Sequence, residues 1–244
     1  FKQTQRRDQG PLSTLKSGYG RCEELIIVHV DALRAIGVPA RLAYCPYWSH
    51  TDNNHAWVEL MLDDGKWYCD EVVGDPSRQG GWVMAACRQA SVVVSTCYGL
   101  PAERGEDVLN WEDAVGARYC TVNSIGNYRE TGRIDFDVPE ARRPGAYEYF
   151  ESADPAQLGA SVQDSIAGGA ADSIGAGAKW NPHVVTVHVF NFGALRQVAR
   201  IPLGDMGRAQ IELGPGAYIV STSAPVDNPE VWAEVVAGET LQLE

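Results

Sequence analysis

Asn54-His55-Ala56-Trp57-Val58-Glu59-Leu60-Met61-Leu62-Asp63-Asp64-Gly65-Lys66-Trp67 reads as one arm of a β-hairpin, its turn and the start of the other arm. Ala56, Val58, Leu60 and Leu62 alternate with His55, Trp57, Glu59 and Met61. That is the period of two a strand imposes, so one face is expected in a core while the other carries His55. Asp-Gly between alternating segments favours a tight reversal. Trp67 to Val73 is therefore expected to run antiparallel to the His55 strand. With the turn centred on Asp64-Gly65, the residue opposite His55 falls near position 74.

Upstream, Arg21 to Ile36 reads as a helix: Leu25, Ile26, His29, Leu33 and Ile36 recur at helical spacing, and Gly37 with Pro39 supplies a stop. Cys22 then lies in the first turn. Unpaired backbone N–H groups and the aligned dipole at that end of a helix favour a thiolate. Gly18 and Gly20 leave backbone room for a substrate, and the Cys22 N–H would face a developing oxyanion. Arg41 to Pro46 is a short strand candidate, followed by the polar loop Ser49-His50-Thr51-Asp52-Asn53-Asn54.

Downstream, Ser91 to Cys97, Arg118 to Asn123 and Arg133 to Val138 have the composition of further strands. Pro139 to Lys179 is rich in Ala, Gly, Ser and Asp, as a loose connection or insertion would be. From His183 the signal is β again. Val185, Val187 and Val189 share a face, and Ala217 to Ser221 follows the turn Gly214-Pro215-Gly216. The division expected is 1–138 for a core with its β extension, 139–182 for a linker or insertion, and 183–244 for a small all-β, sandwich-like unit. That last unit is expected to be separable and to contribute no catalytic group. There is no internal repeat.

The chain has 244 residues, enough for one large domain or two modest ones, with a formal net charge of −12. That charge disfavours nucleic acid and anionic membrane surfaces. No apolar run approaches the roughly 20 residues a bilayer-spanning helix needs. The opening Phe1-Lys2-Gln3-Thr4-Gln5-Arg6-Arg7 is no signal peptide and lacks Met, so upstream sequence is expected to be missing and the compartment stays open. Six cysteines, Cys22, Cys45, Cys69, Cys87, Cys97 and Cys120, are too sparse for a disulfide scaffold and include no Cys-x-x-Cys. Cys45, His50, His55 and Cys69 come nearest to metal-ligand spacing, but zinc ligands pair more tightly. Neither metal nor cofactor is expected.

Gly20-Arg21-Cys22, then Gly37-Val38-Pro39-Ala40-Arg41, then Asn54-His55-Ala56-Trp57-Val58-Glu59, then Gly65-Lys66-Trp67, then Asp75-Pro76 resemble the transglutaminase-like superfamily in type and order. The resemblance is to bacterial secreted or cell-associated members with a β-rich C-terminal region, from which Gly81-Trp82-Val83 departs mildly. It implies an α+β fold: a papain-like core, its Cys-bearing helix packed on an antiparallel sheet, followed by a small β-sandwich-like domain. An extracytoplasmic location would follow from the same likeness. It also implies a thiol nucleophile at Cys22, a general base at His55, and an acid that orients the imidazole and stabilises imidazolium. Family spacing from Trp67 favours Glu71 for that acid. Hairpin register favours Asp75, whose Pro76 matches the family's Asp-Pro; Asp70 is a third contender.

His29 lies on the Cys22 helix, but seven residues at 1.5 Å each is roughly 10 Å, beyond reach of the thiol, so it is expected to pack. His183 and His188 lie in no motif, and His50 reads as a loop residue. Trp57 and Trp67 suit a half-buried sheet, whereas Tyr19 and Trp48 flank the nucleophile and the loop and are the substrate-contact candidates.

Three functions fit. The first is a cysteine acyl-transfer enzyme acting on a peptide, protein or small amide. Hydrolysis is preferred to transamidation there, because no second amine-binding site is evident. The others are a transglutaminase-like scaffold serving as a binding or adhesion module, and a metal protein built on Cys45, His50 and His55. Oligomeric state is not legible.

Overall fold

The computed structural model describes residues 9–51, 53–70, 81–98, 108–114, 117–137, 183–203, 207–224 and 229–243. Among them are few helices and many antiparallel strands, arranged in three sheets. The helices are α1 (Pro11–Ser17), α2 (Cys22–Ala35) and α3 (Trp82–Cys87). The first sheet contains β1 (Ala40–Cys45), β2 (His55–Met61), β3 (Trp67–Asp70), β4 (Val94–Tyr98), β5 (Val108–Ala114) and β6 (Ala117–Asn123), in the order β3-β2-β1-β4-β6-β5. No helix among the described residues is long and apolar enough to cross a membrane.

α2 starts where the Arg21 backbone N–H donates to Glu24 Oε2 at 2.7 Å, one half of a capping box. It ends before Gly37, whose φ is +85°. Its buried face is Ile26 and Val30, flanked by Cys22 and Leu33. This stripe is rotated from the expected one: Ile36 is 76 % exposed and His29 only half-buried. The rotation aligns Cys22 with Ile26 and Val30 at i, i+4 and i+8, on the side that meets β1 and β2.

The β2–β3 hairpin forms antiparallel, with Gly65 at φ +75° in its turn. Met61 pairs with Trp67 and Val58 with Asp70. The turn therefore centres on Asp64, and the register is one residue tighter than a turn centred on Asp64-Gly65 implies. In a strand such a slip exchanges the faces. Asp70 thus lies on the α2 side, where its Oδ2 is 3.4 Å from His29 Nε2.

β2 is buried on both faces. Ala56 and Val58 pack against α2, while Trp57 packs with Trp48, Val83, Cys87, Ile125 and Tyr128. On the Trp57 side, fully buried Glu59 accepts hydrogen bonds from Arg41 Nε (2.6 Å), Ser95 Oγ (2.8 Å) and Tyr128 OH (2.7 Å). Trp57 Nε1 donates to the same Tyr128 oxygen at 2.8 Å, and the Arg41 guanidinium lies 3.9 Å over the Trp67 ring. A buried carboxylate is tolerable only with such full pairing.

The C-terminal strands form a sandwich of two sheets. One is β12-β11-β8-β9, from β8 (Val184–Asn191), β9 (Ala194–Pro202), β11 (Gly216–Thr222) and β12 (Glu230–Val235). The other is β10-β7-β13, from β7 (Gly132–Asp137), β10 (Arg208–Leu213) and β13 (Thr240–Leu243). β7 precedes position 138, yet it is the central strand of this sheet, antiparallel to β10 and parallel to β13. The expected face Val185, Val187 and Val189 is buried in one cluster with Ile134, Phe136, Ile211 and Val220. That cluster continues into Val92, Val94 and Leu109 of the N-terminal half. The two halves share a core, and at Gly214 the backbone runs so close to Ala90 O that a side chain there would collide. The linker expected at 139–182 lies wholly outside the described residues.

Candidate active site

Cys22 is the first residue of α2, and His55 the first residue of β2. α2 crosses the face of β1 and β2, so the thiol reaches the Ala56 backbone, one residue from the imidazole. Sγ lies 3.1 Å from Glu23 Oε2, and among the described residues it hydrogen-bonds to this carboxylate rather than to His55.

Half-burial pushes the Cys22 thiol up, and the hydrogen bond and charge of Glu23 push it further. The backbone N–H groups of Ala56 and Glu23 act the other way but do not prevail. Burial and Glu23 thus act against the thiolate that the start of a helix favours. Burial likewise lowers His55, with the charge of Glu23 opposing. Both shifts favour a neutral thiol beside a neutral imidazole over a preformed ion pair.

Aromatic rings hold the histidine. Its centroid is 6.3 Å from that of Trp57, the rings inclined at 25°, and 4.5 Å from that of Trp82 at 47°. Trp82 is 56 % exposed. It is the aromatic at the opening, a role the sequence reading did not assign; its signal was the Gly81-Trp82 step, since Gly81 caps α3 and Trp82 begins it. Tyr19, three residues before Cys22, is exposed as a substrate contact requires. Trp48 is only 2 % exposed and stacks on Trp57 with centroids 6.3 Å apart. It packs behind Trp57, whose ring in turn neighbours the histidine.

The loop from Trp48 into His55 is held from three sides. Ser49 Oγ donates to Gln89 O, and Trp48 bridges Ala90. From the distant β8–β9 hairpin, buried Asn191 donates its Nδ2 to Trp48 O at 2.5 Å and Thr51 O at 3.3 Å. Beside it, Arg196 lies 5.3 Å from the Tyr47 ring centroid. The C-terminal sandwich therefore reaches the segment that delivers His55.

Of the three contending acids, Asp70 faces α2 and pairs with His29; burial raises its carboxyl and the histidine opposes. Asp75 and Glu71 lie outside the described residues. None of the six cysteines is in a disulfide. Among the described residues no three His, Cys, Asp or Glu side chains converge as metal ligands, and the Cys45 thiol donates instead to Tyr47 O at 3.3 Å.

A cysteine on a helix start, laid against an antiparallel sheet whose facing strand opens with histidine, is a cysteine-protease-like acyl-transfer scaffold. Residues 2–69 match the family model of the transglutaminase-like superfamily. The match contains Cys22, His55 and Trp67 and ends at Cys69, ahead of Glu71 and Asp75. No curated protein and no solved structure matches the chain.

Proposed function

We propose that this protein is a thiol-dependent peptidase or amidase, with Cys22 as nucleophile and His55 as its proton partner. The observation that carries the reading is proximity: Sγ lies against the backbone of Ala56, next to His55, and one carboxylate, Glu23, acts on both thiol and imidazole.

His55 takes the thiol proton as Sγ bonds to the amide carbonyl carbon. The C–N bond then breaks, and the amine leaves with the proton His55 held. Water, losing a proton to His55, attacks the thioester; the C–S bond breaks and Sγ regains its hydrogen. Hydrolysis is favoured over transamidation because water needs no site of its own, whereas an amine does. The orienting acid is Asp75, or Glu71 in its place, since Asp70 is engaged with His29 on the other face.

Cleavage of a peptide and amide library by wild type and Cys22→Ala tests the reading. Turnover that depends on Cys22 and His55 supports it, and equal turnover by Cys22→Ala refutes it. Asp75→Ala should slow alkylation of Cys22 at neutral pH by about tenfold, as loss of an orienting partner does, and Glu71→Ala far less. The opposite ranking assigns the role to Glu71.

A second reading, a binding scaffold without turnover, is favoured by the raised thiol and lowered imidazole, both of which disfavour a preformed ion pair. Absence of turnover with any substrate, together with Cys22-independent ligand binding, would select it.

A further inference from the structure

His55 must present a ring nitrogen to the thiol when it takes the proton and to the departing amine when it returns it. A hydrogen bond to an orienting acid fixes one direction of an imidazole but leaves the ring free to turn about that bond. A flat neighbour removes this freedom. Trp57 is such a neighbour: it stands two positions along β2 on the same face, its ring centroid 6.3 Å from that of His55 and the planes 25° apart. Trp82, more than half exposed and inclined at 47°, covers the imidazole from the solvent side.

Stacking alone would let the indole slide and rotate in its own plane. Its near-parallel contact with Trp48, 6.3 Å away at 14°, leaves the same freedom. What pins the indole is its edge. Nε1 donates to Tyr128 OH at 2.8 Å, and the two rings meet edge to face at 78°. The direction of this chain is forced, because an indole N–H can only donate: the phenol oxygen accepts from it and gives its own proton to Glu59 Oε1, 2.7 Å away. Burial, with the charge of Glu59 adding to it, pushes the Tyr128 hydroxyl well above its ordinary value and keeps that proton in place. Tyr128 is buried, and it follows the turn Ile125–Asn127 between β6 and β7, far along the chain from His55.

We propose that Tyr128 is a positioning residue for His55: its hydroxyl, held by Glu59, fixes the Trp57 indole and through it the plane of the imidazole. This rests on His55 being the proton partner of Cys22.

The test is the pH profile of Cys22 alkylation by iodoacetamide in the full chain, with mass spectrometry locating the label. Sγ bonds to the methylene carbon, iodide leaves, and the thiol proton passes to His55 at neutral pH or to hydroxide in alkali. Only the first route needs an oriented imidazole. Tyr128→Phe should therefore slow neutral alkylation by about tenfold, the scale of a displaced orienting partner, while the alkaline plateau stays within about twofold of wild type. Ser95→Ala is the comparison, because Ser95 donates to the other oxygen of the same carboxylate, Oε2, outside the branch that reaches Trp57. It should lower stability as any lost donor to Glu59 does, yet keep the wild-type profile. If Tyr128→Phe does not fold, the benzothienyl analogue of tryptophan at position 57, the same shape without the N–H, should give the same neutral slowing. A neutral rate left at the wild-type value, a loss equal at every pH, or a Ser95→Ala profile that moves with that of Tyr128→Phe overturns the proposal and leaves Cys22 and His55 in place. A His55→Ala profile identical to wild type overturns the proton-partner reading and this proposal together.

Discussion

Replacing Asn191 isolates what the C-terminal sandwich contributes to the site. Its side chain is 4 % exposed, and both of its hydrogen bonds are donated to carbonyls of the loop that leads to His55. Asn191→Leu keeps the volume close and removes both bonds. At about 1 kcal/mol net for each bond, docking of the loop weakens by roughly 2 kcal/mol, a factor of about 30 in the docked-to-undocked ratio. Asn191→Asp keeps the shape but turns an acceptor toward two carbonyl oxygens. It should be worse at neutral pH, by roughly 3–5 kcal/mol, because a buried charge is left unpaired. Acid should relieve it: an unpartnered buried carboxyl has a raised pKa, so stability returns as pH falls through that value and the protonated group again donates. Amide hydrogen exchange supplies the assay. In Asn191→Leu, exchange at Trp48 and Asn53, whose amides bond to Asn53 O and Thr51 O, should accelerate by about 30-fold while amides within the β8–β11 ladder keep their rates. Alkylation at Cys22 should slow in parallel. Unchanged exchange in both variants would mean that the loop is held from its own side, and the argued clamp would be refuted.

The Glu59 network should dominate stability: Glu59→Gln replaces the buried carboxylate to which Arg41, Ser95 and Tyr128 all donate with a neutral amide, costing about 3–5 kcal/mol and lowering the melting temperature by roughly 10 °C in calorimetry. A loss under about 1 kcal/mol would show that water or rearrangement replaces the pairing. Burial pushes the Cys45 thiol up to about 12. The folded protein then holds this proton more tightly than the unfolded chain, so the associated stability is complete below the ordinary thiol pKa and is lost as pH rises toward about 12. Urea titrations in that alkaline window should fall less steeply for Cys45→Ala than for wild type; parallel curves would place the alkaline weakness elsewhere.

What could be read of the fold follows the range of the forces that set it. α2 and the β2–β3 hairpin rest on local signals, a helical stripe with a Gly-Pro stop and an Asp-Gly turn; α2 formed within a residue of expectation, and the hairpin formed with its second arm starting at Trp67, the part expected beyond Asp70 lying outside the described residues. Single-residue errors carried physical weight all the same. The hairpin slip moved Asp70 to the face of His29, and the rotated α2 stripe exposed Ile36. The alternation of Val185, Val187 and Val189 announced an inward-facing strand, but no local pattern announces the partner of β7. Its ladders to β10 and β13 close over more than half a domain of intervening chain, and such pairing is decided by burial in three dimensions.

The site divides along a different line. Cys22 and His55 stand out because a thiol at a helix start and a histidine at a strand start occur together in a recognisable order, and both fall within residues 2–69, the stretch that matches the superfamily model. Glu23 escaped notice because an acid in the first turn of a helix already has an ordinary explanation in the dipole, and Glu24 beside it serves that role by capping Arg21. Only geometry separates the two glutamates: one faces the helix start, the other the sulfur. Asn191 escaped for a similar reason. Asn-Phe-Gly reads as hairpin punctuation, and Phe192 and Gly193 do take positive φ in the β8–β9 turn. Yet the inward-pointing asparagine spends its amide on a loop some 140 positions earlier in the chain. The dipole is not the only influence on the thiol. A helix end favours negative charge by a few tenths to about 1 kcal/mol, and at Cys22 half-burial and the adjacent carboxylate of Glu23 act in the opposite direction. If Cys22 is the nucleophile, the group that orients His55 has to help offset that opposition, and the Asp75 and Glu71 variants report on it directly.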